Sequence, residues 1–191
     1  MFYKVARIAC ALFLRVYYSM EIHCAEAVKT IKNGAIVCAN HSTNLDPVLV
    51  GIAMKTPIKF MAKKELFSNV IRRYVLKLLG AFPVSRGEND IKSMKTAINV
   101  VKDGGILGLF PEGRRNITGE ETEVKAGVGF IVAKTGVPVI PVTIHSNRKF
   151  RSKLIINIGE PIDFSEFEGR KLATEDYKQI SNIIMQRIRE K

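Results

Sequence analysis

What most limits this chain is a set of short, mostly apolar runs: "GAIVCA" (34–39), "PIKFMA" (57–62), "AFPV" (81–84), "ILGLF" (106–110), "PVIPVTIH" (138–145) and "KLIINIG" (153–159). A strand with one wet face alternates apolar and polar residues, whereas near-continuous runs fit strands covered on both faces. Between the runs lie stretches of helical period. From Lys63 to Leu79, Leu66, Val70, Tyr74 and Leu78 share one side, and Arg72, Arg73 and Lys77 carry charge. In "NDIKSMKTAINVVKDGG", Asn89 or Asp90 caps a helix whose buried stripe is Ile91, Met94, Ile98 and Val101, and Gly104 and Gly105 stop it. A third helix runs from about Lys125 to Lys134 and ends at Gly136 and Pro138; the last starts near Thr174 with Tyr177, Ile180, Ile184 and Ile188 inward. Strands alternating with helices predict an α/β fold, with a largely parallel mixed sheet and helices on both faces. No repeat or linker divides the chain, so residues 23–191 are expected to form a single domain.

Residues 1–22 differ. Lys4, Arg7 and Arg15 interrupt the apolar residues and leave only Ile8 to Leu14 uncharged, far short of the roughly 20 apolar residues a spanning helix needs. A signal peptide would want an unbroken apolar centre and a small-residue cleavage site. At roughly 100° per residue the three cations share a narrow arc, and Phe2, Ile8, Leu12, Phe13, Val16 and Tyr17 cover most of the rest. The pattern predicts an amphipathic helix lying in a membrane interface, with Lys4, Arg7, Phe13 and Arg15 at the lipid; a first helix packed on the core is the alternative.

Thirty Lys and Arg against 18 Asp and Glu leave a net charge of +12, which asks for a polyanionic partner. Nucleic acid fits poorly: there is no zinc-finger spacing and no RNA-binding aromatic signature, and Trp is absent. An anionic membrane or a phosphorylated ligand remains. Cys10, Cys24 and Cys38 form neither an even set nor a metal-like spacing and read as free thiols of a reducing cytoplasm.

Polar clusters follow the apolar runs, and in sheets of this kind ligands bind beyond the carboxyl ends of the strands. "NHSTNLDP" (40–47) comes after the first. Pro47 suits the first helical position and Asp46 the N-cap. His41 lies outside both elements, and five residues through a turn can bring the Asp46 carboxylate to one ring nitrogen, leaving the other as a proton acceptor. The pair is half of a triad with no serine nucleophile of its own. It reads either as a base whose substrate brings the nucleophile, or as a capped, solvated turn. A metal set with His23 or His145 lacks ligand-like spacing. Arg86 sits in the loop after the third run. "FPEGRRN" (110–116) offers Gly113 for a tight turn, Glu112 to bond amides or an arginine, and Arg114 and Arg115 as forks for a phosphate.

Together these blocks resemble the glycerolipid acyltransferase family, specifically its 1-acylglycerol-3-phosphate (lysophosphatidic acid) acyltransferases. NH-x4-D is matched by Asn40, His41 and Asp46, and G-x-F-x-x-x-R by Gly80, Phe82 and Arg86. FPEGTRS is matched by "FPEGRRN", with Arg114 in place of Thr and Asn116 in place of Ser; "VPVIPV" (137–142), Lys125 with Gly127 and "IGEPI" (158–162) also match. The blocks run in the family's order from about residue 33 to 162. The resemblance implies transfer of a fatty acyl chain from acyl-CoA or an acyl carrier protein to a glycerol hydroxyl, giving phosphatidic acid, with no cofactor. His41 would be the base and Asp46 its partner. Arg86, Arg115 and Glu112, with Gly113, Arg114 and Lys125, would hold the acceptor phosphate, and Pro138 and Pro141 would shape a strand beside the acyl groove. Work at the cytoplasmic face of the cell membrane, as a peripheral protein, is implied. Another acceptor such as glycerol 3-phosphate, a non-catalytic lipid-binding role and a thioesterase-like hydrolysis are the competing readings.

Overall fold

The computed structural model describes residues 2–26, 28, 31, 33–85, 91–116, 124–147 and 149–190. Seven strands make one sheet: β1 (Ser19–Cys24), β2 (Ala35–Ala39), β3 (Ile58–Lys63), β4 (Phe82–Val84), β5 (Ile106–Leu109), β6 (Val139–Ser146) and β7 (Lys153–Ile158), in the spatial order β1-β7-β6-β2-β5-β3-β4. Every neighbouring pair is parallel except β6 and β7, which run antiparallel. Among the described residues, six α-helices accompany them: α1 (Phe2–Tyr17), α2 (Asp46–Met54), α3 (Val70–Leu78), α4 (Ile91–Lys102), α5 (Ala126–Thr135) and α6 (Thr174–Arg189).

Central β2 shows why its sequence has no polar alternation: all five residues are buried. Ala35, Val37 and Ala39 face a cluster with Leu14 of α1 and Leu49 and Val50 of α2. Ile36 and Cys38 face a second cluster with Val100 of α4, Ile131 of α5 and Ile184 of α6. Helices thus cover both faces, and truncating a fully buried Ile such as Ile36 to Ala costs about 2–5 kcal/mol.

Four local expectations change, one of them in α4, where Ile91, expected on the buried stripe, is 74% exposed. The first helix stops at Tyr17, and Ser19–Cys24 joins the sheet as edge strand β1 beside β7. The stop is set from far along the chain: the Arg151 amide donates to the Tyr17 carbonyl at 2.7 Å, and the Ser19 amide to the Ser152 carbonyl at 3.1 Å. No local pattern reports such partners. The stretch from Lys63 to Leu79 divides into a 3₁₀ turn (Lys64–Phe67) and α3, because the Asn69 side chain accepts from the Arg72 amide and starts a new helix. The stripe of Val70, Tyr74 and Leu78 faces solvent, and α3 has no buried residue at all. Asn89 and Asp90, the expected cap of α4, lie outside the described residues.

α1 packs on the core along one side only. Leu14 is buried in the core beside α2, while Phe2, Val5, Ile8, Leu12, Phe13 and Val16 stay exposed. Lys4 and Arg15 are exposed as well. Arg7 is turned inward instead, with its Nε buried and unpartnered among the described residues.

Candidate active site

Parallel pairing of β2 with β5 aligns Cys38 with Leu109, so the segments after both strands leave the sheet side by side. One carries Asn40 and His41, the other Phe110 to Asn116. The His41 Nδ1 lies 2.9 Å from the Asp46 Oδ2. That same oxygen accepts the amides of Ser42 and Thr43 at 2.6 and 2.7 Å, and the Oδ1 accepts the Thr43 hydroxyl at 2.6 Å. Asp46 is therefore no N-cap: it is the first residue of α2, Pro47 is the second, and its carboxylate reaches back to gather the loop. Only 1% of it is exposed. Burial pushes its carboxyl up, but the hydrogen bonds from His41, Thr43 and Ser42 outweigh that and hold it below the usual carboxylate value. An ionised Asp46 accepts the Nδ1 proton, so the neutral imidazole presents Nε2 as an acceptor.

Three contacts fix the ring and its backbone. Asn40 carries on the β2–β6 ladder with its side chain: its Oδ1 accepts the Ile144 amide at 2.8 Å, and its Nδ2 donates to the Ile144 carbonyl at 2.9 Å. The backbone is thereby free to turn toward the site one step early. The Asn116 amide donates to the His41 carbonyl at 2.7 Å. The His41 ring stacks on Phe110 with centroids 4.1 Å apart and planes 21° apart, and Phe110 in turn lies against Phe60. Phe60 reaches across β5 only because residue 108 is glycine; a Cβ there would sit 2.2 Å from the ring.

His41 borders an apolar groove of about 1900 Å³ walled by α1, α2, β3, α3 and α4. That exceeds the roughly 300–1,000 Å³ usual for small-ligand sites. Its charged lining besides His41 is Arg7, Lys63, Arg72, Lys95, Arg115 and Lys125, with no acidic residue among the described lining. Gly113, at φ +63, carries the chain through a turn, and the Lys125 stem lies directly over it. The structure thus brings His41, Asp46, Gly113, Arg115 and Lys125 together. Arg114 is exposed and outside the groove lining. Arg86 lies outside the described residues.

Glu112 goes the other way from the expected phosphate set. It is 3% exposed, accepts the His41 backbone amide, and leaves its Oε2 without a partner among the described residues. Burial pushes its carboxyl up, against the opposing pull of that amide and of the His41 and Arg189 charges. An inward carboxylate here steadies the His41 backbone and keeps negative charge away from the groove. Pro138 and Pro141 are a second correction. Pro141 lies within β6, paired with Cys38, and neither proline lines the groove. The groove lies on the β3–β5 side of β2, whereas β6 is on the other side. Cys38 is fully buried mid-strand, where burial pushes its thiol far up and removes it as a nucleophile. Phe110 and Asn40 stood within quoted motifs without a role. A polar amide directly after a buried strand, and a glycine inside one, were the available signals for Asn40 and Gly108.

The acyltransferase family model matches residues 19–145, which contain the whole His41–Asp46 and Phe110–Asn116 constellation. The chain belongs to the acyltransferase family. It is 31% identical over 96% of its length to a 1-acyl-sn-glycerol-3-phosphate acyltransferase of Streptococcus pneumoniae, covering 70% of that protein. It is 30% identical over 98% of its length to the Bacillus subtilis protein of the same name, covering 96% of it. The crystal structure of the 1-acyl-sn-glycerophosphate acyltransferase PlsC from Thermotoga maritima superposes with a TM-score of 0.68 at 26% identity, over 90% of this chain and 71% of that one. This acyltransferase therefore shares its fold with a 1-acyl-sn-glycerophosphate acyltransferase.

Proposed function

We propose that this acyltransferase moves a fatty acyl group from acyl-CoA or an acyl carrier protein to the free hydroxyl of 1-acylglycerol 3-phosphate, giving phosphatidic acid, with His41 as general base. The observation that carries the reading is the His41–Asp46 pair at an apolar groove whose described charged lining is wholly cationic. An acyl chain suits the apolar wall, and a phosphate monoester suits Arg115 and Lys125.

The reaction balances without a cofactor. The acceptor hydroxyl gives its proton to the His41 Nε2 while its oxygen attacks the thioester carbonyl. The tetrahedral intermediate collapses, the C–S bond breaks, and the imidazolium returns the proton to the leaving thiolate. Asp46 steadies the imidazolium between these steps. A positioned base of this kind contributes about 10²–10⁴ in rate. Arg115 and Lys125, with Arg86 of the matching block, would hold the phosphate so that the hydroxyl is aimed at the thioester. The enzyme would act peripherally at the cytoplasmic face of the membrane, since its acceptor and product are lipids. Among the described residues no helix is long and apolar enough to cross a bilayer.

The test is acyl transfer from palmitoyl-CoA to lysophosphatidic acid in mixed micelles, comparing the parent enzyme with His41→Ala. Phosphatidic acid is expected from the parent, with kcat lower by about 10²–10⁴ in the variant. Equal rates in the two would refute the base assignment, and free fatty acid as the main product would make the enzyme a hydrolase. Transfer to glycerol 3-phosphate in preference would reassign the acceptor.

A further inference from the structure

α3 raises a physical problem. It is nine residues long, well under the roughly 12–15 at which an isolated helix becomes even marginally stable in water. Helices this short are held by an apolar face packed on something, yet none of its residues is buried. On a helical wheel, Ile71, Arg72, Val75 and Leu76 turn to the groove that they border. The outward arc holds Val70, Tyr74 and Leu78 at successive turns, bordered along one edge by Arg73 and Lys77. Val70 is 67% and Tyr74 66% exposed. The helix has three cations and no acidic residue.

We infer that the outward face of α3 is a second membrane-docking element, which seats in an anionic lipid surface together with α1 and brings the groove to the acceptor. α1 has the same makeup, apolar and cationic without an acidic residue, and its Phe2, Tyr3, Ala6 and Arg7 border the same groove. An apolar stripe with a cationic edge matches an interface in which the stripe enters the acyl region and the cations meet phosphates. A second copy of this chain would set Arg73 and Lys77 against their own charge. An acidic carrier protein would satisfy the cations and leave Val70 and Tyr74 wet. The inference rests on the reading that the acceptor is a membrane lipid.

The chain has no Trp, so Tyr74→Trp and, separately, Phe13→Trp each give a single reporter. With vesicles of phosphatidylglycerol and phosphatidylcholine, both emissions are expected to shift to the blue and to be quenched by brominated acyl chains. Arg73→Gln with Lys77→Gln should weaken binding to these vesicles about 30-fold. The same pair should leave transfer to a short-chain acceptor, dissolved below its micellar limit, unchanged. A Tyr74→Trp emission that stays water-like while Phe13→Trp shifts would overturn the inference and leave α1 as the sole foot. A shift on adding acyl carrier protein but not vesicles would overturn it in favour of that partner. Activity of the parent on the dissolved acceptor tests the active-site reading separately, because that assay needs no membrane.

Discussion

Replacing Asp46 by Asn separates the charge of the His41 partner from its shape. The Asp46 Oδ2 accepts three N–H donors and its Oδ1 a hydroxyl. An Asn amide oxygen can keep the three N–H donors. Its NH₂ then faces the Thr43 Oγ1, which has lone pairs to accept it even while it takes the Leu45 amide at 3.1 Å. The loop therefore survives, and only the negative charge beside the imidazolium is lost. At the observed 2.9 Å the Coulomb attraction is about 6 kcal/mol at an effective dielectric of about 20. The amide dipole retains about half, so the transition state loses about 3 kcal/mol, or roughly 10²-fold in kcat.

The assay is steady-state acyl transfer with Asp46→Asn beside thermal unfolding of the same protein. A fall of about 10²-fold in kcat with KM nearly unchanged is expected. A rate within a factor of about three of the parent, in a folded protein, would refute the claim that an imidazolium forms during the reaction. The variant also changes the acid limit of stability. The folded carboxyl of Asp46 lies below the ordinary aspartate value of 3.8. Its contribution is complete above that value and is lost as pH falls through the lower folded one. Asp46→Asn should remove this part of the acid-side slope, read from unfolding midpoints across pH 2–5 as an order-of-magnitude window.

Two further substitutions test how the site is held. Asn40→Ala leaves the Ile144 amide and carbonyl unpaired, which should cost about 2–3 kcal/mol and lower Tm by about 4–12 °C; thermal unfolding and kcat should fall together, since His41 is the next residue. Glu112→Gln keeps an acceptor for the His41 amide but removes a buried carboxylate whose pKa is raised in the folded state. The carboxyl's contribution to stability therefore falls as pH rises above the ordinary glutamate value of 4.5. The Gln variant should therefore match or exceed the parent's Tm at neutral pH, and an unfolded or strongly destabilised variant would refute the claim that burial disfavours the Glu112 charge.

The sheet was legible because burial on both faces writes itself into the strands: Ala35, Val37 and Ala39 meet one cluster, and Ile36 and Cys38 the other, so no residue of β2 is free to be polar. His41 and Asp46 were legible as a pair because one short loop holds both. Other features depended on partners distant in sequence. The end of α1 depends on Arg151 and Ser152, the clamp on β6 joins Asn40 to Ile144, and β5 and β2 together bring Phe110 to the imidazole. Glu112 shows the same limit at a single residue. Beside two arginines in sequence, a glutamate reads as a partner for one of them or for backbone amides, and only the structure decides: strand β5 directs it to the His41 amide while Arg115 and Lys125 face the groove. The outcome makes electrostatic sense for the proposed phosphate-bearing acceptor: a carboxylate on the groove side would repel the phosphate, whereas behind the loop it braces the His41 backbone. Glu112 and Arg115, three residues apart, thus serve opposite sides of one wall.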